Sequence, residues 1–172
     1  SIVAISPEGK EKWTHDIGYV NFMAATYELG QDDLIYAGTD HGYLKVIDKE
    51  GQEIEEVEID KDYSLESPAL AEDGTIYLGS NNGKIYALNK DKSKKWTFQT
   101  NRSIILAEPV LGEDGTIYTG FDNELFAISP DGSKKWSYPI KRGEDRKYYI
   151  TTDITLTKDY IFFGSDNGKM YA

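Results

Sequence analysis

Carboxylates recur in short turns along this 172-residue chain, and their oxygens are the first groups that could do chemistry. Asn-Asn-Gly or Asp-Asn-Gly stands at residues 81–83 and 166–168, and Glu-Asp-Gly stands at 72–74 and 113–115. Carboxylate and carbonyl oxygens suit a hard cation such as Ca²⁺. A calcium loop, however, needs several ligands at alternating positions, and Asp-Lys-Asp at 60–62 matches that pattern only in part. We therefore interpret these segments as turns and expect no metal site.

Groups for covalent or acid–base catalysis are few. The chain has no cysteine, which removes disulfides, thiolate metal ligands and thiol catalysis. Its two histidines, His15 and His41, are too few for a multi-histidine metal centre, and neither has a serine partner in a recognisable nucleophile turn. Two carboxylates suffice for glycoside hydrolysis, but a pair among 30 acidic residues means nothing without geometry. We assign no catalytic residue and expect a protein that is not an enzyme.

The overall charge limits the partners of this protein. The 30 acidic residues outnumber the 19 basic ones, so the formal net charge is -11. A surface this negative repels nucleic-acid phosphates and anionic membranes, and no apolar run reaches the roughly 18 residues of a membrane span. We therefore expect neither nucleic-acid binding nor membrane insertion. Hydrophobic residues make up 39% of the chain, which is enough for a packed core.

The elements that must position these residues come from an internal repeat. Four similar stretches begin at Ile2, Leu44, Ile85 and Leu125, and the start of a fifth lies at Met170. The five starts lie 42, 41, 40 and 45 residues apart. A period near 40 residues is typical of a four-stranded propeller blade.

The local sequence of each copy indicates strands and tight turns. Segments 75–78 and 84–88 are rich in β-branched and aromatic residues. Between them lies Asn82-Gly83, a pair that accepts positive φ at both centres of a tight hairpin turn. Pro-Asp-Gly at 130–132 predicts another turn. No window has a helical period, so the sequence predicts an all-β protein of four-stranded antiparallel blades.

One motif spans the turn between the third and fourth strands of a copy. The pattern of alanine, glycine five residues later and tryptophan four residues after that is complete at 4–13 and at 127–136. The third copy keeps the tryptophan but has Lys92 where glycine would stand. The second copy keeps Gly51 but has Ile-Glu at 54–55 where tryptophan would stand.

This motif resembles the tryptophan-docking motif of the PQQ-type (quinoprotein-like) β-propellers. The resemblance covers essentially the whole chain, and it implies a ring of seven or eight blades in which each tryptophan packs between neighbouring blades. We therefore expect Trp13, Trp96 and Trp136 to be largely buried structural docking residues at equivalent positions, rather than platforms for stacking sugars.

The family contains both PQQ-dependent dehydrogenases and non-catalytic scaffolds. The resemblance implies that a dehydrogenase would hold calcium with Glu, Asn and a catalytic Asp, and those that oxidise alcohols carry a vicinal cysteine pair. Glu108, Asp153 and Asn21 are candidates for the calcium set, but no motif places them together and the chain has no cysteine. We therefore expect no cofactor and favour the non-catalytic branch, similar to the outer-membrane assembly lipoprotein and to bacterial and archaeal surface propellers. The alternative is a fragment of a PQQ-dependent or other propeller enzyme whose active residues lie outside this segment.

Departures from the repeat are where a specific surface can be encoded. The link from 137 to 153 is five residues longer than its counterpart from 97 to 108, and its segment 141–149 combines four basic residues with two tyrosines. The candidate partner-binding residues are Tyr19, Asn21, Arg142, Arg146, Lys147, Tyr148 and Tyr149. A basic aromatic patch in an acidic chain suits an acidic protein or a carbohydrate, and the alternative is an ordinary exposed insertion.

The repeat also predicts how the blades divide the chain. We treat residues 1–172 as a single β-propeller or propeller fragment, with blades at about 17–59, 60–100 and 101–140 and a split blade of 141–172 plus 1–16. Four repeats could close alone, but we favour part of a larger ring because the third strand is present at both ends. A head-to-tail homodimer could then complete one ring. The function expected is non-catalytic binding of protein or carbohydrate in the cell envelope or the extracellular space.

Overall fold

Strands form the whole regular structure of the described chain. The structure, a computed structural model, describes residues 1–18, 27–101, 105–141 and 148–172. Those residues contain 17 strands and no helix, so no helix in the described part could cross a membrane. The predicted all-β class is confirmed.

The first compact unit comprises Ser1–Pro68 and contains a two-stranded hairpin and one four-stranded antiparallel sheet. The hairpin pairs β1 with β2, and the sheet has the order β3-β4-β5-β6. The strands are β1 (Ile2–Ile5), β2 (Glu11–His15), β3 (Tyr27–Leu29), β4 (Ile35–Gly38), β5 (Tyr43–Ile47) and β6 (Glu53–Glu58).

The second compact unit comprises Ala69–Ala172 and contains two four-stranded sheets followed by a three-stranded one. The first two have the orders β7-β8-β9-β10 and β11-β12-β13-β14, and the third has the order β15-β16-β17. The strands are β7 (Ala69–Leu70), β8 (Ile76–Ser80), β9 (Lys84–Leu88), β10 (Lys94–Gln99), β11 (Ile105–Leu111), β12 (Ile117–Phe121), β13 (Glu124–Ile128), β14 (Lys134–Pro139), β15 (Thr155–Leu156), β16 (Ile161–Ser165) and β17 (Lys169–Tyr171).

Each complete sheet is made of four strands that are consecutive in the chain, as the repeat predicts. All pairs are antiparallel, and each four-stranded sheet falls inside one predicted blade. The exact blade limits, the joining of 141–172 with 1–16 and the size of a ring stay predictions.

Burial follows the position of a strand in its sheet. The middle strand β8 is buried at all of its positions, whereas the outer strand β10 alternates between exposed and half-buried residues. A strand that is covered on both faces reads as a continuous apolar run, and a strand with one wet face alternates. The core of the second unit therefore lies between its successive sheets. One cluster there includes Ile85, Ile117, Phe121 and Phe126, and the next includes Leu125, Ile140, Ile150 and Phe163.

The hairpin at 81–83 differs from its prediction. Only Gly83 has a positive φ, 84°, and Asn82 does not. The Gly83 N–H donates to the Ser80 carbonyl over 3.0 Å, and Ser80 pairs with Lys84. A three-residue loop of this kind needs one left-handed residue after an ordinary turn, rather than two left-handed centres.

Candidate interaction surface

A ladder of three side chains crosses each four-stranded sheet of the second unit at one level. Tyr77 pairs with Ala87, and Ala87 pairs with Trp96. The tyrosine and the tryptophan lie two strands apart, about 10 Å between backbones, yet their ring centroids are only 5.7 Å apart. The small alanine between them leaves the space in which the two rings meet. The alanine of the motif is therefore required for the packing of the tryptophan ring rather than for the turn.

The next sheet repeats this ladder with nearly the same geometry. Tyr118 pairs with Ala127, and Ala127 pairs with Trp136. The two rings lie 5.8 Å apart at an interplanar angle of 48°, against 42° for Tyr77 and Trp96.

Trp96 extends from its own sheet to the turn of the following one. Its indole N–H donates to the Pro130 carbonyl over 2.8 Å. A Cβ atom placed on Gly132 would lie 2.8 Å from Cδ2 of the Trp96 ring, and Gly132 has a φ of 87°. Only glycine fits both the left-handed backbone and the space left by the ring.

The first unit makes the same contact with a different sequence. The Trp13 indole N–H donates to the Lys49 carbonyl over 2.8 Å. A Cβ atom on Gly51 would lie 2.6 Å from Cδ2 of Trp13. The contact thus joins the tryptophan of one copy to the glycine of the next, at two places in the described chain.

The copy without tryptophan supports this interpretation. Glu55 pairs with Val46, so it stands in the register position that Trp96 occupies against Ala87. The copy that follows it in the chain is the one without the glycine, and Lys92 holds that position at a φ of 64°. Tryptophan and glycine are therefore lost together, as expected of two halves of one contact.

The three tryptophans are less buried than the sequence predicted. Trp13 and Trp96 are half-buried, and Trp136 is 40% exposed. Expecting burial of all three was wrong for Trp136, because a tryptophan of this kind is covered by the turn of another copy. In the described part of the chain, Gly51 and Gly132 are the glycines whose nearest neighbour is a tryptophan ring, and neither ring is Trp136.

An exposed aromatic strip lies at the end of the second unit. We give this name to Trp136, Tyr138 and Tyr171. Trp136 and Tyr138 stand on one face of β14 because they are two residues apart, and the Tyr138 and Tyr171 rings lie 6.3 Å apart. Tyr138 is 50% exposed, and Tyr171 stacks on Phe163 with ring centroids 5.0 Å apart. The sequence analysis took Trp136 for a packing residue and did not include Tyr138, although Tyr138 stands two residues after Trp136 in the sequence.

The long insertion starts and ends on one turn. Ile140 and Ile150 are 1% and 0% exposed. Their N–H groups donate to the carbonyls of Asn123 over 2.7 Å and of Asp122 over 2.8 Å. The Asn123 side-chain amide also donates to the Ile140 carbonyl over 2.9 Å. The insertion can therefore vary in length without moving the sheets on either side of it.

The predicted partner-binding residues fall into two groups. Tyr148 and Tyr149 contact the part of the chain that forms the sheet β15-β16-β17. Tyr148 packs on the apolar cluster that contains Ile150, and the Tyr149 N–H donates to a carboxylate oxygen of Asp166 over 2.8 Å. The residues Tyr19, Asn21, Arg142, Arg146 and Lys147 lie outside the described residues. The basic patch therefore stays a prediction, and so does the calcium set that includes Asn21.

Charges on the outer strands are paired within their own sheets. Lys45 lies 2.7 Å from Glu53 and 2.8 Å from Glu56 on β6. Burial opposes the charge of Lys45, but these two hydrogen bonds raise its pKa overall, and the bond from Lys45 lowers the pKa of Glu53. On β14, the Lys135 ammonium donates to Asp114 over 2.9 Å and holds the pKa of that carboxyl well below its usual range. Within the described ranges, no three His, Asp or Glu side chains could hold a metal ion together.

Comparison with known proteins gives one family and a set of similar folds. The whole chain, residues 1–172, matches the family model PQQ_2, described as outer membrane protein assembly factor BamB. No curated protein matches the sequence.

Solved structures give the fold. The crystal structure of BamB from Moraxella catarrhalis is similar with a TM-score of 0.64 and 22% identity, over 80% of this chain and 42% of that one. Streptogramin B lyase has a TM-score of 0.68 and 18% identity, over 85% of this chain and 52% of that one. The WD40 β-propeller domain of Doa1 has a TM-score of 0.70 and 16% identity, over 83% of this chain and 47% of that one. The fold is that of a β-propeller, and the chain spans about half the length of these structures.

Proposed function

The chain belongs to the family of outer membrane protein assembly factor BamB, the PQQ-type repeat propellers, and on that premise we propose that it is a non-catalytic scaffold that binds other proteins in the cell envelope. The family match supports both the scaffold and the envelope location, and a periplasmic or surface position is part of the proposal. Protein is the partner that we retain from the sequence analysis, because no comparison supports a carbohydrate.

The aromatic strip is the observation that carries the proposal. Trp136 and Tyr138 are 40% and 50% exposed on one face of one strand. Large aromatic side chains are enriched at the centres of protein interfaces, where they contribute much of the binding energy. Contiguous exposed apolar surface on a soluble protein is a common mark of an interaction site.

Site-directed photo-crosslinking tests the scaffold. A photoreactive phenylalanine analogue replaces Tyr138 in the protein expressed in its own cells, and adducts are identified by mass spectrometry. We expect an adduct with an envelope protein at Tyr138 that is absent at the control position Tyr63, which is 45% exposed on the first unit. Identical adducts at both positions, or none at Tyr138, would remove the strip from the proposal.

The expectation that this chain itself binds no PQQ is tested separately. PQQ is titrated with Ca²⁺ while tryptophan fluorescence is followed, and dye-linked alcohol oxidation is assayed in the same samples. We expect no saturable change in fluorescence at micromolar PQQ and no turnover. Saturable binding together with turnover would replace the scaffold proposal by an enzyme that uses residues of this chain.

A further inference from the structure

The first residue of the outer strand is charged in each of the three four-stranded sheets, and it always pairs with the last residue of the third strand. These pairs are Glu53 with Ile47, Lys94 with Leu88, and Lys134 with Ile128. The residue two positions earlier on the third strand lies on the same face of the sheet. It is Lys45, Tyr86 and Phe126, respectively. The three sheets therefore place different side chains next to one another at equivalent positions.

In two of these sheets the lysine has a partner inside the protein. The Lys45 ammonium lies 2.7 Å from a carboxylate oxygen of Glu53. The Lys94 ammonium lies over the Tyr86 ring, 4.8 Å from its centroid. In the third sheet, the Lys134 ammonium has no hydrogen bond, ion pair or ring contact with any described residue. Within the described part of the chain, Lys134 is thus the lysine of this set that lacks a partner.

A pocket of about 310 Å³ lies beside Lys134, between β10 and the sheet that contains β13 and β14. Both walls are four-stranded sheets of the second unit. Phe98 and Phe126 form its apolar part, with ring centroids 6.1 Å apart at an interplanar angle of 65°. This volume is at the small end of the range for ligand pockets, so it fits one amino-acid side chain rather than a large ligand.

The other polar groups of the pocket are fixed or already used. The Gln99 side-chain amide donates to the Thr100 carbonyl over 2.9 Å and to the Gly83 carbonyl over 3.3 Å. These bonds orient Gln99, and no donor among the described residues reaches its Oε1 atom. Glu124 also lines the pocket, but it has an interaction of its own within the protein. The pocket therefore offers a ligand an ammonium group, an amide oxygen and an aromatic surface.

The charge of the second unit permits an anionic ligand. This unit has as many basic as acidic residues, so the whole excess of acidic residues lies in the first unit. The repulsion of anions that the net charge predicts is therefore weakest in the unit that contains the pocket, because charges beyond about 10 Å are largely screened by salt.

Resting on the proposed function as a protein-binding scaffold, we propose that this pocket binds a glutamate side chain of the protein partner. The carboxylate pairs with the Lys134 ammonium, as Glu53 pairs with Lys45 in the first unit. The methylene groups pack on Phe98 and Phe126, and Oε1 of Gln99 accepts a backbone N–H of the partner. The partner thus supplies the carboxylate that the first unit carries within its own sheet.

Titration with a single-residue probe tests the pocket. Acetyl-glutamate methylamide is added to the ¹⁵N-labelled 172-residue chain, and the backbone amide signals of Phe98, Gln99 and Lys134 are followed by NMR. We expect saturable shifts with a Kd of about 1–10 mM, as one small contact allows. Lys134→Gln should weaken binding about fivefold, the size of a single favourable ion pair. The uncharged probe acetyl-glutamine methylamide should bind more weakly than the charged one by a similar factor.

The matched control is Lys94→Gln. Lys94 has the register position of Lys134 in its own sheet, but its ammonium lies over the Tyr86 ring. This variant should leave the affinity for the probe unchanged, and the dispersion of the amide signals should show both variants folded.

Four results would overturn the proposal. They are the absence of saturable shifts up to about 50 mM probe, equal binding of the two probes, equal binding of inorganic phosphate, and equal losses in Lys134→Gln and Lys94→Gln. If the pocket fails in one of these ways while Tyr138 still gives an adduct with an envelope protein, the scaffold proposal stands and only this inference fails.

Discussion

The outer strands β6 and β10 occupy the same place in two copies of the repeat and are held in different ways. β6 has four glutamates, and two of them bind Lys45 of the neighbouring strand within the sheet. β10 has two lysines before Trp96, whose ring reaches the turn of the next sheet. Exposed ion pairs are worth about 0–1 kcal/mol, whereas truncating a large packed aromatic costs about 3 kcal/mol or more. Glu53 and Glu56 of β6 therefore bind within their sheet, whereas Trp96 of β10 joins two sheets.

The difference shows what the motif is for. Where Glu55 stands at the position, the glycine of the following copy is replaced by Lys92 in spite of its left-handed backbone. Where Trp96 stands there, the following turn keeps Gly132. Alanine, glycine and tryptophan thus form one packing unit, in which alanine leaves space beside the tryptophan ring and the glycine turn of the next copy packs on that ring.

Truncating Trp96 and truncating Glu55 should give the largest difference in the free energy of unfolding. Trp96→Ala removes the packing on Tyr77 and the bond to Pro130, and should lower the free energy of unfolding of the second unit by about 3 kcal/mol. Glu55→Ala should cost less than about 1 kcal/mol. Urea unfolding followed by circular dichroism, with amide exchange to assign the unit, measures both. Equal losses would mean that Trp96 joins no sheets.

The receiving glycine should be nearly as sensitive. Gly132→Ala combines a strained φ with a methyl group 2.8 Å from the Trp96 ring, and should cost about 2–3 kcal/mol. Gly168→Ala is the control in the same unit, because it has a φ of 76° and open space, and should cost about 1 kcal/mol. The excess cost at Gly132 should disappear when Trp96→Ala is already present. If Gly132→Ala still costs more than Gly168→Ala when Trp96→Ala is present, the extra cost does not come from contact with the Trp96 ring.

Much of this fold could be predicted because the copies can be compared with one another. The strands, their antiparallel order and the turn glycines follow from residues that recur at the same repeat position. Burial could not be predicted in the same way. What covers Trp96 is a turn 34 residues away, and Trp136, which follows the same Ser-Lys-Lys sequence, is exposed.

Less of the candidate site than of the fold could be predicted from the sequence. The insertion was found as a departure from the repeat, but its two ends are fixed by Ile140 and Ile150 on the turn at 122–123. Those are contacts between segments that no local pattern relates. Tyr138 was not predicted because no other copy has a tyrosine at this strand position, and a comparison of copies identifies only residues that recur.

Alkaline titration sharpens the comparison at Tyr36, which pairs with Val46 and so lies across the sheet from Glu55 as Tyr77 lies from Trp96. Burial, the hydrogen bond to Asp32, and the charges of Asp32 and then Glu55 raise the pKa of Tyr36 from 10.0 to about 12. The stability due to Tyr36 is therefore fully present below pH 10, and is lost as the pH rises from 10 towards 12. The loss in the first unit should be about 2 kcal/mol.

Urea midpoints measured across that range, with absorbance to follow phenolate, report the Tyr36 effect. Tyr36→Phe should flatten the pH dependence, and Glu55→Gln should lower the pKa of Tyr36 slightly. An unchanged slope in Tyr36→Phe would assign the pH dependence to other tyrosines. Tyr77 is the natural second probe, since burial also raises its pKa, followed by the charge of Asp73.

The smallest effect should come from Lys92, and its sign is what matters. Lys92 has a φ of 64°, which costs a residue with a side chain about 1 kcal/mol more than glycine. Lys92→Gly should relieve that strain, but glycine also gives the unfolded chain more conformational freedom, which offsets part of the stabilisation. The free energy of unfolding of the second unit should therefore rise by about 0.5 kcal/mol. Lys90→Gly in the same turn, where φ is not positive, should instead lose about 1 kcal/mol. If Lys92→Gly destabilises as Lys90→Gly does, the lysine makes a stabilising contact of its own. The joint loss of tryptophan and glycine would then reflect a replacement contact rather than a position released from docking.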